Sequence, residues 1–240
     1  METQQTPGAN TVVRWGGLSA LILAVAYVID AATDITIRPR DSGIETLLRD
    51  IDENRALFLF NNVWAFASQI LILPLLVGLF LALRHQDRPL MVLAALYTVV
   101  GTVLFAAKQI VDIPQAEVAS IFTDATGTAR DAAAQDGEVL VNLGDGLRIG
   151  GLGAIFIAGL SVLGLLLLRS PLFGAWLGWL ALATAALQLV GSFGPVAEPL
   201  SYLSSAAFAA YVVWLLGVGW TMFRKAGEVA GERPLAASSG

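Results

Sequence analysis

Six stretches of about twenty mainly apolar residues recur along this chain, and that is the length a helix needs to cross the hydrocarbon core of a bilayer. They cover residues 13–33, 57–83, 89–111, 147–168, 172–193 and 200–223 of the 240. Backbone N–H and C=O groups in lipid have no water to bond to, so spans of this kind are helices that satisfy their own backbone. The segments between them are too short and too interrupted for a second domain. The pattern predicts an all-α polytopic membrane protein: a six-transmembrane-helix bundle over 13–223, with tails at 1–12 and 224–240 and short interfacial helices in its outer loops.

Composition agrees. The chain is 56% hydrophobic and only 14% charged, with a mean hydropathy of +0.72, whereas soluble domains carry about 25% charged residues. With six spans, both termini share a side with the turns at 84–88 and 169–171. That side carries Arg14, Arg84, Arg88, Arg169, Arg224, Lys225 and Arg233 against four carboxylates, while the opposite side sets seven cations against fifteen carboxylates. Cytoplasmic segments favour the more positive side, which predicts cytoplasmic termini. Of the basic residues only Lys108 and Lys225 are lysine, and alanine is abundant. This habit suits a GC-rich prokaryotic genome, and hence a bacterial or archaeal plasma membrane. Ala31-Ala32 follows the first apolar run as a cleavage site would, but Arg14 is a thin basic region and Asp30 spoils the small-residue motif. The first span is expected to stay.

Several chemistries are closed to this sequence. It has no cysteine, and its one histidine is His85 in a predicted cytoplasmic turn. Thiol catalysis, disulfides and thiolate metal sites are excluded, as are bis-histidine haem and histidine-rich metal sites within the bilayer. No cofactor, metal or nucleic-acid partner is expected; the expected partners are the lipid bilayer and a small polar ligand or cation.

The loops have structure of their own. Ser42 and Glu45 stand at capping-box spacing, and Ile44, Leu47, Leu48 and Ile51 recur at i, i+3, i+4, i+7. They predict an amphipathic helix at the interface, either a connector packed on the bundle or a lid over an outer vestibule. In the longest loop, about 113–145, Val118, Ile121 and Phe122 suggest a helical turn, and 129–143 a helix with Asp131, Asp136 and Glu138 facing water. The connection 194–199 is short, with two prolines and Glu198. Small residues at four-residue spacing (Gly16, Ala20 and Ala24; Gly150, Ala154 and Ala158; Gly174 and Gly178; Ala181 and Ala185) predict close helix contacts. Pro74 should bend the second span.

Polar residues within the spans gather toward the outer ends. Asp30 and Asp34 lie in the first span, Asn61 and Asn62 in the second, Lys108 and Asp112 in the third, and Gln188 in the fifth; Asp145 and Arg148 open the fourth. An i, i+4 spacing sets Lys108 beside Asp112 and Asp30 beside Asp34. Two carboxylates so placed need a cation or a proton, and Lys108 is the nearest candidate. The constellation Asp30, Asp34, Asn61, Asn62, Lys108, Asp112 and Gln188 is read as an outward-facing polar site for small-molecule or ion binding or transport. The alternatives are a structural ion-pair cluster in an accessory protein, or a lipid- or isoprenoid-modifying enzyme using carboxylates. Nothing in the spacing names a reaction, and an enzyme is the less favoured reading.

Across the join of the fourth and fifth spans the chain reads Arg169-Ser170-Pro171-Leu172-Phe173-Gly174-Ala175-Trp176-Leu177-Gly178. This resembles the signature of a prokaryotic six-span membrane family catalogued as domain of unknown function 4386, in which Arg-Ser is followed by Leu-Gly. Arg14-Trp15-Gly16-Gly17-Leu18 and Trp214-Leu215-Leu216-Gly217 are similar to that family's first and last spans. The resemblance implies a fold and a membrane location, and no activity.

Overall fold

The computed structural model describes residues 7–37, 43–193 and 200–229. Ser42, Arg38, Arg40, Glu198 and the connection 194–199 lie outside them, as do the ends of both tails. All the regular structure is helical: α1 (Pro7–Ile37), α2 (Ile44–Glu53), α3 (Arg55–Ser68), a 3-10 turn (Gln69–Leu71), α4 (Ile72–Leu83), α5 (Arg88–Asp112), α6 (Gln115–Asp124), α7 (Thr128–Leu152), a π segment (Gly153–Gly159), α8 (Leu160–Leu168), α9 (Ala175–Gly191) and α10 (Ser201–Val229).

Among the described residues, five helical stretches are long and apolar enough to cross a membrane: Gly8–Ile37, Arg55–Leu83, Arg88–Asp124 (broken by the turn at Ile113–Pro114), Thr128–Leu168 and Tyr202–Ala226. The sixth, α9, has 17 residues, or about 26 Å of helix, which is at the short limit for a span. It is shorter than the sequence pattern suggests because Leu172 and Phe173, though buried, precede the helix, which opens after extended Gly174. At the first span the helix begins earlier than the apolar run, at Pro7. In the second, the 3-10 turn falls just before Pro74, whose missing N–H would leave the carbonyl four residues back without its helical donor.

The chain divides into two compact units. The first comprises Met1–Ala24, Leu71–Tyr97 and Phe156–Gly240. Its helices meet at glycines. A Cβ on Gly17 of α1 would stand 2.6 Å from the Gly219 carbonyl and 2.7 Å from the Phe223 nitrogen of α10, and one on Gly16 would stand 2.8 Å from the Pro74 carbonyl. A Cβ on Gly178 of α9 would lie 2.8 Å from the Gly164 carbonyl of α8. Ala20, Ala24, Ala181 and Ala185 are buried, as their spacing predicts. Phe156 packs on Tyr211 with ring centroids 4.7 Å apart, and Tyr211 on Trp214 at 5.8 Å.

The second unit, Val25–Ile70 and Thr98–Ile155, holds α2, α3, α6 and α7. Here α2 buries Leu48 and Ile51 in a core with Ile37, Phe58, Ala116, Ala119, Phe122 and Ala133. Its apolar face is therefore filled by protein, as in the connector reading, and the helix is capped by Gly43, with no side-chain cap bond. The segment 113–145 is not a loop but two helices joined at Ala125–Gly127, where Gly127 takes a φ of +59°. That is a left-handed conformation open to glycine at little cost. On α6 the inward residues are Ala116, Ala119 and Phe122, while Ile121 is exposed. Asp131, Asp136 and Glu138 face outward, as expected. Between α5 and α7 the close contact is Gly101 with Gly151, 2.8 Å from a Cβ on Gly101 to the Gly151 carbonyl. The expected Gly150 is exposed yet also close to α5, a Cβ there standing 3.2 Å from Leu104 Cδ1, so both glycines face that helix and Gly151 makes the backbone contact.

These contacts predict substitutions of opposite sign. Gly17→Val meets backbone that cannot give way, and overpacking of this kind costs about 1–3 kcal/mol or more. Gly146→Ala in α7 meets nothing within 4 Å and should stabilise by up to about 1 kcal/mol through helix propensity. Melting temperature in detergent should fall for the first variant and hold or rise for the second.

Candidate functional site

Helix α5 ends on the sequence Lys108-Gln109-Ile110-Val111-Asp112, and Pro114 starts a new turn that leads into α6. A carboxylate at the C-terminal end of a helix is opposed by the helix dipole. Two donors offset this: Lys108 Nζ reaches Asp112 Oδ2 at 2.6 Å, and Gln115 Nε2 reaches Asp112 Oδ1 at 2.9 Å. The Lys108 side chain is 12% exposed and that of Asp112 only 1%. Gly144 of α7 closes the carboxylate in, since a Cβ there would lie 2.7 Å from Asp112 Oδ1. Lys108 thus turns inward instead of snorkelling, and the i, i+4 pair read from the sequence is formed.

Gln115 was not among the sequence-predicted residues. It is fully buried, and among the described residues its Oε1 has no hydrogen-bond donor. Its signal was present: Asp112 and Gln115 stand at the three-residue spacing of a capping box, across a proline. Gln109, also buried, was missed because a single glutamine in an apolar run carries no pattern.

Asp30, Asp34, Asn61 and Asn62 belong to the same unit as Lys108 and Asp112. Asp30 is half-buried and Asp34 exposed, while Asn61 and Asn62 are buried. Thr33 donates to Asn61 Oδ1, linking α1 to α3, and Asn62 Nδ2 returns to the Phe58 carbonyl at 2.9 Å. Further along the same pair of helices, Trp64 Nε1 donates to the Ala26 carbonyl at 3.2 Å and Tyr27 to Gln69 Oε1 at 3.5 Å. Gln188 lies elsewhere in the chain's division. It belongs to the other unit, where its amide donates to Ser204 at 3.5 Å. Among the described residues, no three histidine, aspartate or glutamate side chains gather as metal ligands would.

The outward-facing cations of this unit are paired as well. Arg55 bonds Glu117 at 3.0 Å, Arg130 bonds Glu45 at 2.9 Å, and Arg148 bonds Asp145 at 3.1 Å with both side chains about half exposed. Exposed pairs contribute about 0–1 kcal/mol, whereas removing one partner of a buried pair costs about 3–5 kcal/mol because the other charge is left alone. Lys108→Ala should therefore lower the melting temperature of the detergent-solubilised protein and its resistance to proteolysis far more than Arg148→Ala. Equal effects would show that the buried pair is idle.

Residues 15–224 match the family described as domain of unknown function (DUF4386). No curated protein and no solved structure matches the chain. The matched span includes all the membrane-length helices in whole or large part, together with the Lys108–Asp112–Gln115 cluster, and on that coverage this helical membrane protein belongs to the DUF4386 family.

Proposed function

We propose that this is a six-span protein of a prokaryotic plasma membrane, with both termini in the cytoplasm, that binds a small polar solute or cation in its outer half. α9 serves as the short fifth span. The orientation is supported by a difference in how the cations are used. In the second unit every described lysine and arginine, namely Arg49, Arg55, Lys108, Arg130 and Arg148, has a carboxylate partner. In the first unit, among the described residues, Arg14, Arg84, Arg88, Arg169, Arg224 and Lys225 have none; Asp87 instead accepts the Leu90 N–H at 3.1 Å. Equal counts of Lys and Arg thus conceal a difference in pairing, and the side that keeps its cations unpaired is taken as the cytoplasmic one. The absence of native cysteine makes the test clean: His85→Cys should be labelled by a membrane-impermeant maleimide only after lysis, and Thr126→Cys in intact cells. The reverse pattern would refute the topology.

The binding role rests on one observation, the Gln115 carbonyl buried without a donor beside a neutralised ion pair. A buried acceptor left unmade costs about 1–3 kcal/mol, and a ligand bearing an N–H, an O–H or a positive charge recovers that cost. Thermal-shift screening with ammonium, alkali cations, polyols and small amines should find a stabilising ligand whose effect disappears in Gln115→Met. A ligand that stabilises the variant equally would place binding elsewhere. The structural reading has its own support, since both Asp112 oxygens are taken and Gly144 packs against one of them. It predicts that none of these compounds shifts the melting temperature, while Lys108→Ala still destabilises.

A further inference from the structure

We propose that Arg14 and Arg224 form a seat for the phosphate headgroup of an anionic phospholipid, on the outside of the crossing between α1 and α10. The crossing itself sets the geometry. Gly17 lies against the Gly219 carbonyl and the Phe223 nitrogen, so Arg14, one turn earlier on α1, is brought onto α10. Its guanidinium lies over the Phe223 ring, 5.1 Å from the centroid, and that of Arg224 over the Trp220 ring at 4.8 Å. Trp220 and Phe223 are three residues apart and so share a face of α10. Two guanidinium groups are therefore held over rings on one face of α10.

Neither arginine has a carboxylate partner among the described residues, as is true of the other described cations of this unit, although every described cation of the other unit has one. Both side chains are exposed, and Trp15 and Trp220 beside them are 61% and 52% exposed. A guanidinium lying on a ring still offers its N–H edge, in the planar fork that fits phosphate oxygens. Exposed tryptophans of a membrane protein sit at the level of the headgroups. Bare cations, each resting on an aromatic ring at headgroup depth, call for an anion carried by the bilayer itself, and this selects a lipid phosphate over a free one. The seat is independent of the Gln115 site and does not need that site to bind anything.

Native mass spectrometry of the full-length protein in detergent, titrated with phosphatidylglycerol or phosphatidylcholine, tests this. The wild type should retain phosphatidylglycerol in preference to phosphatidylcholine. The double variant Arg14→Gln/Arg224→Gln should bind phosphatidylglycerol at least about tenfold more weakly, as expected from roughly 1 kcal/mol per basic residue near an anionic surface. Arg148→Gln, an exposed but paired arginine of the other unit, should bind like the wild type. Because the spectrum counts lipid on the folded ion, partial unfolding of the double variant does not obscure the result, and Arg14→Lys/Arg224→Lys should restore part of the retention. Equal retention of the two lipids by the wild type would overturn the proposal. So would undiminished binding by the double variant, or displacement of phosphatidylglycerol by millimolar inorganic phosphate, which would mean a free-anion site.

Discussion

The packing of this protein depends on helices approaching to backbone contact. Lipid tails are as apolar as leucine side chains, so burying leucine gives membrane helices little reason to associate. What remains is dispersion and weak polar contact, and both fall steeply with distance. Gly16 and Gly17 against α4 and α10, Gly178 against α8, and Gly101 against Gly151 are the places where a side chain would force the helices apart. The buried leucines, such as Leu23, Leu79, Leu166 and Leu177, fill the volume that these contacts enclose.

The second unit adds a different means to its own Gly101–Gly151 contact. Its α2, α6 and the first half of α7 are polar on one side and close a small aliphatic and aromatic core of the kind a water-soluble domain has. The hydrophobic effect operates there, and burying a leucine such as Leu48 or an aromatic such as Phe122 contributes about 1.5–3 kcal/mol each. Exposed ion pairs between α2 and α7 and between α3 and α6 add orientation more than stability. Arg130 serves twice, bonding Glu45 while lying over the Phe122 ring at 4.4 Å.

Much of this was legible in the sequence because lipid permits so few structures. Twenty apolar residues have one solution in a bilayer, so the spans and their order follow from hydropathy alone. The Lys108–Asp112 pair was legible because i, i+4 spacing on a helix and the cost of a lone charge lead to the same partner. Other features depended on tertiary contact, to which one-dimensional spacing is blind. The apolar face of α2 announced that protein could cover it, but only the tertiary contacts name α6 and α7 as the cover. Gly150 and Gly151 are equivalent as letters, and only the position of Gly101 chooses between them. The π segment at Gly153–Gly159 has no pattern beyond its glycines. That Gln188 would meet Ser204 of α10 was likewise invisible, because depth in a span does not say which neighbours a side chain meets.

Helix α7 carries 25 residues from Thr128 to Leu152, a length of about 38 Å at 1.5 Å per residue. Its first half turns Asp131, Asp136 and Glu138 outward, and carboxylates keep to water and avoid hydrocarbon. They act as a float. The turn at Ala125–Gly127 has no charged residue of its own, and it is kept on the aqueous side by the residues that follow it.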